Sequence, residues 1–417
     1  VVSFTMINYD RKLLFLLPEP VTSPDDKYPS LYSLSYVLTD LNFNIIDKNE
    51  LITCKGYDYR LPSPSYLFTQ GIDPYTIKNG LSVEKFLDES EKLLHNPNVT
   101  IFTWSIRNLK ILESMCLRQF REPTILDNVY ALTDVNKVLK LSELFTEGKC
   151  LNTDSLLKCA FKYGFKEKLS IYDRLGRLRA LIHIVKGLNL KHTALLNYMT
   201  RPHEQKGEQI SKAIGQGKFL VDYNVKERSL EVIKPLSLNG NDIDALYFDG
   251  NEVRRKYYRL GDFGVLSPAT VLTQERQALV NIPLTQITNL LASANLECVK
   301  WDEVKNYSKE FFKDFSQKEY EEYQKILFNN NKEAVVAAPL TTSSNYRNIV
   351  FLFRGNNYKG TLLDSELTAY FKVCAAMIEK QLPNYVTELK YLSNSVNENS
   401  DEELKLINKI KNYPMDL

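Results

Sequence analysis

The densest grouping of chemically capable side chains is Val253-Arg254-Arg255-Lys256-Tyr257-Tyr258-Arg259. Read as a strand, its alternate residues share a side, so Arg255, Tyr257 and Arg259 form one row and Arg254, Lys256 and Tyr258 the other. Cations beside exposed rings suit a nucleic-acid backbone with stacked bases. The competing reading is a charged strand edge, because edges are commonly guarded by Lys and Arg. Arg354, Tyr358 and Lys359 form a second group in a Gly-rich turn, where a capped loop entering a helix would need the same residues. Arg174, Arg177, Arg179, Lys186 and Lys191 make only a partial helical face.

Other chemistries find little support. Gly215-Gln216-Gly217-Lys218 lacks the spacing of a phosphate-binding loop, and His95, His183, His192 and His203 have no metal-ligand spacing. No Ser-His-Asp or Cys-His nucleophile motif stands out, and Asn98-Val99-Thr100 matters as a sequon only in a secreted protein. Neither a metal nor another cofactor is expected.

Those groups sit in 417 residues that are 44% hydrophobic and 25% charged, enough for two or three cores. A net charge of +2 is too small to argue for a polyanion partner without local clusters. No apolar run reaches the roughly 18 residues of a membrane span, and Val1-Val2-Ser3-Phe4 lacks a signal-peptide pattern, so a cytoplasmic protein is expected. Six cysteines without a Cys-x-x-Cys pair read as reduced, mostly buried thiols. The bias toward Lys, Asn, Ile and Tyr fits an AT-rich genome, such as that of a phage or a reduced bacterium.

Leu13 to Leu17, Leu31 to Leu38, Asn44 to Ile46 and Thr100 to Trp104 read as strands. Helical spacing marks Val83 to Leu94, Leu109 to Phe120, Asp134 to Phe145, Ser155 to Tyr163, capped from Asn152, Thr153 or Asp154, and Tyr172 to Val185. Lys191 to Met199 reads as a connector ending at Thr200-Arg201-Pro202. Short β-like runs follow at Phe219 to Tyr223, Leu230 to Ile233 and Val253 to Leu260, with turns such as Asn239-Gly240-Asn241-Asp242 between such runs, suggesting a small barrel. From about Val299 the chain turns helical. Phe311, Phe312, Phe315, Tyr320, Tyr323, Ile326 and Leu327 recur there at helical spacing and suit core packing. The expected order is an α/β domain over 1–192, a barrel over 193–298 and helices over 299–417.

Two stretches carry a family resemblance. Cys54-Lys55, Leu61-Pro62-Ser63-Pro64 and Gly71-Ile72-Asp73-Pro74-Tyr75-Thr76-Ile77-Lys78-Asn79-Gly80 resemble the strand and turn after the first catalytic strand of bacterial exonuclease I, a member of the DEDD 3′-5′ exonuclease superfamily. Arg354-Gly355-Asn356-Asn357-Tyr358-Lys359-Gly360-Thr361-Leu362 resembles that family's Arg-x-x-Asn-aromatic-x-Gly-Thr-Leu signature. Val221-Asp222, Leu260 to Leu266 and Phe311-Phe312 fall in family order. The resemblance implies an α/β, β and α architecture: a ribonuclease H-like exonuclease domain, an SH3-like barrel and a helical C-terminal domain around a single-strand cleft.

It also implies four carboxylates on two metals, with a His as base. Ungapped alignment of Asn42 to Ile46 puts Pro18 and Pro20 at the first two acids, with Glu19 between them facing away by alternation unless the register slips. Asn108 takes the next acid position, Tyr172 that of the His and Arg177 that of the last acid. A guanidinium about 4 Å from a divalent ion would repel it by roughly 8 kcal/mol at an effective dielectric near 20. Arg177 is expected instead to pair with Asp173 or Glu19, or to meet a phosphate.

These positions imply an inactive relative that binds nucleic acid or a ribonucleoprotein, whether single-stranded DNA, structured RNA or the ribosome. Binding would fall to Arg254, Arg255, Lys256, Tyr257, Tyr258, Arg259, Arg354 and Lys359. The alternatives are a protein scaffold on replication or translation machinery, and a divergent metal-dependent 3′-5′ exonuclease.

Overall fold

The computed structural model describes residues 11–149, 155–170, 173–224, 229–240, 242–260, 267–302, 307–329, 345–395 and 401–415. Tyr172, the expected caps Asn152 to Asp154 and the Gly261 to Leu266 stretch lie outside the described residues, and of Arg259 only the backbone is described.

The apolar run at Leu13 to Leu17 becomes the middle of β1 (Lys12–Pro20), the central strand of a five-stranded sheet. The others are β2 (Leu31–Thr39), β3 (Ile45–Thr53), β4 (Asn96–Thr103) and β5 (Val129–Asp134), in the order β3-β2-β1-β4-β5. β1–β2 and β2–β3 run antiparallel, and β1–β4 and β4–β5 parallel. A central strand buried on both faces reads as continuous apolar sequence, which explains Leu13 to Leu17. Leu14 and Leu16 enter one core with Phe86 and Leu87 of the helix Val83–Leu94 and Met115 of Ile111–Arg118. Leu13 and Phe15 enter the other, with Val138 of Val135–Glu147 and Leu178, Leu181 and Val185 of Arg174–Lys191.

Three helix expectations need correction. The segment read as one helix from Leu109 is two, Ile106–Leu109 and Ile111–Arg118, joined at Lys110. Ser155 caps Leu156–Lys162, its Oγ accepting from the Lys158 N–H. The connector expected over Lys191 to Met199 is the end of one helix followed by another, Thr193–Met199, because Leu188, Leu196 and Met199 bury in the second core and no Pro intervenes before Pro202.

The second sheet follows the order β10-β6-β7-β8-β9-β11. Its strands are β6 (Leu220–Asn224), β7 (Ser229–Asn239), β8 (Asp242–Phe248), β9 (Val253–Arg259), β10 (Ser267–Pro268) and β11 (Lys300–Trp301). The helix His203–Gly215 covers one face through Ile210 and Ala213, and Leu284–Ser293 the other through Ile287 and Leu291. β11 lies just past the expected barrel boundary at 298 and pairs with β9. Lys137 and Asp222 join the two units by a buried 2.6 Å ion pair.

The C-terminal helices fold back onto the first unit. Phe311, Phe312, Phe315 and Tyr323 pack on Phe120, and the Tyr323 hydroxyl donates to the Leu117 carbonyl at 2.7 Å. Asp364–Ser395 and Asp401–Asn412 cover the helix Pro64–Gln70 through Tyr385, Leu406 and Ile410. Gly355 of Asn345–Asn357 lies so close to buried Tyr370 that a Cβ would stand 2.1 Å from its ring. Gly355→Ala is therefore expected to cost about 1–3 kcal/mol of stability by overpacking, read as a lower urea midpoint; an unchanged midpoint would contradict this close approach.

Candidate functional site

Glu19 is the penultimate residue of β1, and its side chain is 2% exposed. By alternation Glu19 shares the face of Leu13 and Phe15, which looks toward Arg174–Lys191. Its Oε2 accepts from Ser33 Oγ at 2.5 Å and from Arg174 Nε at 2.8 Å, and Oε1 lies 3.7 Å from Arg177 Nη1. Pro18 falls on the opposite face with Leu14 and Leu16, and the ladder slips between Glu19 and Pro20. This corrects the ungapped reading: Glu19, not Pro18 or Pro20, meets the helix at the site, and Leu17 packs on the same side.

Arg174 and Arg177 occupy the first turn of their helix, where the helix dipole favours anions. Glu19 and the C-terminal end of Pro64–Gln70 offset that placement. Arg177 donates to the Gln70 carbonyl at 2.6 Å and to Gln70 Oε1 at 2.9 Å, and Arg174 to the Gly71 carbonyl at 3.5 Å. Gly71 takes a left-handed φ of 63°, closing that helix as few other residues could. Burial lowers the basicity of Arg177, Glu19 opposes that shift and Arg174 adds to it.

Asp173 caps the helix by accepting from the Gly176 N–H at 2.6 Å, and it lies 3.5 Å from Arg179. Asn108 is half-buried in Ile106–Leu109, which Asp134 anchors by accepting from the Ile106 N–H at 3.0 Å. Among the described residues Asn108 makes no hydrogen bond to Glu19, Arg174 or Arg177. One carboxylate between two guanidiniums does not fit the two-metal chemistry that needs several converging acids. No group of three or more His, Cys, Asp or Glu among the described residues could hold a metal ion. Glu19 alone leaves Arg174 and Arg177 with one excess positive charge, and Asp173, which also acts on Arg177, offsets it.

The cationic strand expected to bind nucleic acid is largely ion-paired. Arg254 meets Asp302 at 2.7 Å, Asp249 at 2.9 Å and Glu252 at 3.1 Å. Arg255 grips Asp244 and lies 4.2 Å over the Trp301 ring. Lys256 pairs with Glu231 at 2.8 Å, and Tyr258 is buried with its hydroxyl donating to the same carboxylate. Tyr257 remains partly exposed against Trp301, with ring centroids 5.0 Å apart. The acids opposite β9 come from β7, β8 and the loops around it, which no reading of 253–259 alone reveals.

Arg354 is also interior. Its Nη2 donates to the Thr361 carbonyl at 3.4 Å, so it braces the turn rather than facing solvent. Lys359 pairs with Asp58 at 2.6 Å, and Tyr358 donates to Glu84 at 2.9 Å. Gln70, Gly71 and Ser33 are site residues that the sequence reading missed. The Gly71-x-Asp73-Pro74 turn signals a helix end whose carbonyls point outward, but not what they face.

No protein-family model matches the chain. Exodeoxyribonuclease I of Buchnera aphidicola subsp. Schizaphis graminum is 34% identical over 92 residues, a match spanning 21% of this chain and 19% of that relative's length. Among solved structures, product-bound exonuclease I superposes with a TM-score of 0.76 at 19% identity, covering 98% of this chain and all of the other. E. coli exonuclease I in complex with a dA16 oligonucleotide gives 0.71 at 17% identity, over 97% and 99% of the two chains. The fold is thus that of exonuclease I across nearly the whole chain. No helix among the described residues is long and apolar enough to cross a membrane.

Proposed function

We propose that this chain, with its exonuclease I fold, is a non-catalytic nucleic-acid-binding protein whose former hydrolytic centre is filled by Glu19, Arg174 and Arg177. The observation that carries the reading is this ion cluster: two guanidiniums hold the one site-facing acid of β1, so the centre suits a phosphate better than a divalent cation. Solved relatives in complex with dA16 and dT13 oligonucleotides support single-stranded nucleic acid as the ligand class. A second reading, a protein-interaction scaffold, is favoured by the ion-paired state of the 254–256 cations. A structure described as SSB with exonuclease I gives it a precedent in the fold.

Purified full chain mixed with fluorescent dT13 separates these readings. Binding in EDTA that weakens with salt, at a log–log slope of about 0.7 per phosphate neutralised, is expected, with no shortened products in magnesium or manganese. A metal-dependent product ladder would establish the divergent exonuclease instead. No binding of DNA or RNA oligonucleotides, alongside salt-insensitive capture of a protein, would favour the scaffold.

A further inference from the structure

Two large rings stay open at the edge of the second sheet. Tyr257 of β9 and Trp301 of β11 are 39% and 46% exposed, and their centroids lie 5.0 Å apart with the ring planes inclined by 38°. The chain has only two tryptophans, and the other, Trp104, packs partly buried against the core that holds Leu13 and Phe15. Single exposed apolar residues are ordinary, whereas a Trp and a Tyr side by side make a patch.

The patch is anchored. β11 pairs in parallel with β9, setting Trp301 opposite Arg255, and the Asp302 N–H donates to the Arg255 carbonyl at 2.8 Å. Lys300 meets Glu252 at 3.2 Å and Asp302 meets Arg254 at 2.7 Å, so ion pairs flank the indole on both sides along the strand. The Arg255 guanidinium, itself gripped by Asp244, lies 4.2 Å from the indole centre. A ring ordered in this way loses little freedom when a second flat group stacks on it.

Charge narrows what that group is. Arg254 and Arg255 are matched by Asp302 and Asp244, so the accessible chemistry here is ring surface rather than a cationic field. Lys309 is exposed and stands 5.1 Å over the Tyr257 ring, which puts a cation at the rim of the patch. Flat aromatic faces beside a cation are the pattern on which unpaired bases stack while the backbone passes alongside.

We propose that Tyr257 and Trp301 form a stacking platform for the unpaired bases of single-stranded nucleic acid, with Lys309 meeting an adjacent phosphate. The proposal rests on the nucleic-acid reading above and adds to it a contact, outside the Glu19 cluster, that takes chiefly the faces of bases.

In the full chain carrying Trp104→Phe, Trp301 is the sole tryptophan, and its emission reports on the platform directly. Titration with dT13 should quench that emission saturably, at the same midpoint as the anisotropy of labelled dT13. An abasic deoxyribose-phosphate oligomer of the same length keeps the charges without the bases; it should leave the emission unchanged and bind more weakly. Trp301→Ala in the otherwise native chain should weaken dT13 binding roughly 5- to 150-fold with the log–log salt slope unchanged, and Trp301→Phe should restore most of the affinity. Binding of dT13 by anisotropy with no change in Trp301 emission, full affinity in Trp301→Ala, or equal affinity for the abasic oligomer would overturn the platform while leaving nucleic-acid binding in place. Absence of dT13 binding by anisotropy and emission alike would overturn both readings. Quenching by an oligoproline peptide but not by dT13 would overturn the proposal in favour of a peptide ligand for the same rings.

Discussion

Replacing Arg174 by Met should cost about 3–5 kcal/mol of folding stability, the usual penalty for stranding one member of a buried ion pair. Glu19 would keep the Ser33 hydroxyl at 2.5 Å and Arg177 at 3.7 Å, neither of which replaces the direct 2.8 Å Arg174 contact. Urea unfolding reads the loss. Combining Arg174→Met with Glu19→Gln should recover part of it, because the second change removes the charge that the first strands. A single-variant loss below about 1 kcal/mol would mean that water reaches Glu19 and that the cluster is a surface pair.

Lys137→Met should have an effect of similar size, about 3–5 kcal/mol at neutral pH, because it strands the buried Asp222 carboxylate of β6. Here pH gives an independent check. Burial holds the Asp222 carboxyl above the ordinary carboxylate range, with Lys137 opposing that shift. The folded state then binds more protons than the unfolded one in the window between the ordinary and raised values. An unpaired Asp222 is therefore relieved as pH falls through its raised value, and the deficit of the variant should shrink from about pH 7 toward pH 4. A deficit constant across that range would show that lost packing, not stranded charge, accounts for it.

Local pattern carried the frame of this protein well and its site poorly, for a physical reason. Val83 to Leu94 is legible because Ser82 caps it and its apolar residues recur at helical spacing. Leu13 to Leu17 is legible because a central strand must be apolar on both faces. The side to which Glu19 points was not legible: the ungapped alignment crosses the loop between β1 and β2, and a one-residue change in that loop exchanges the two faces of the strand end. Likewise, the row at 254–259 displays its cations in sequence, whereas the acids that neutralise them come from Glu231, Asp244, Asp249, Glu252 and Asp302. Charge balance across a sheet belongs to strand order, which the individual strands do not encode.

The C-terminal helices also set a timetable for synthesis. The Leu61 N–H donates to Gln381 and the Ser63 hydroxyl to Glu388, across 320 and 325 positions of chain. At about 5–20 residues per second, a ribosome takes roughly 15–60 s to go from one partner to the other. Throughout that interval the apolar side of the segment containing Leu61, Leu67 and Ile72 lacks Tyr385, Leu406 and Ile410. The nascent chain therefore carries an uncovered hydrophobic surface beside the Gln70 and Gly71 carbonyls that hold Arg177 and Arg174. Closing that surface after the last helices emerge is the step at which premature release or slow translation would direct the chain toward aggregation.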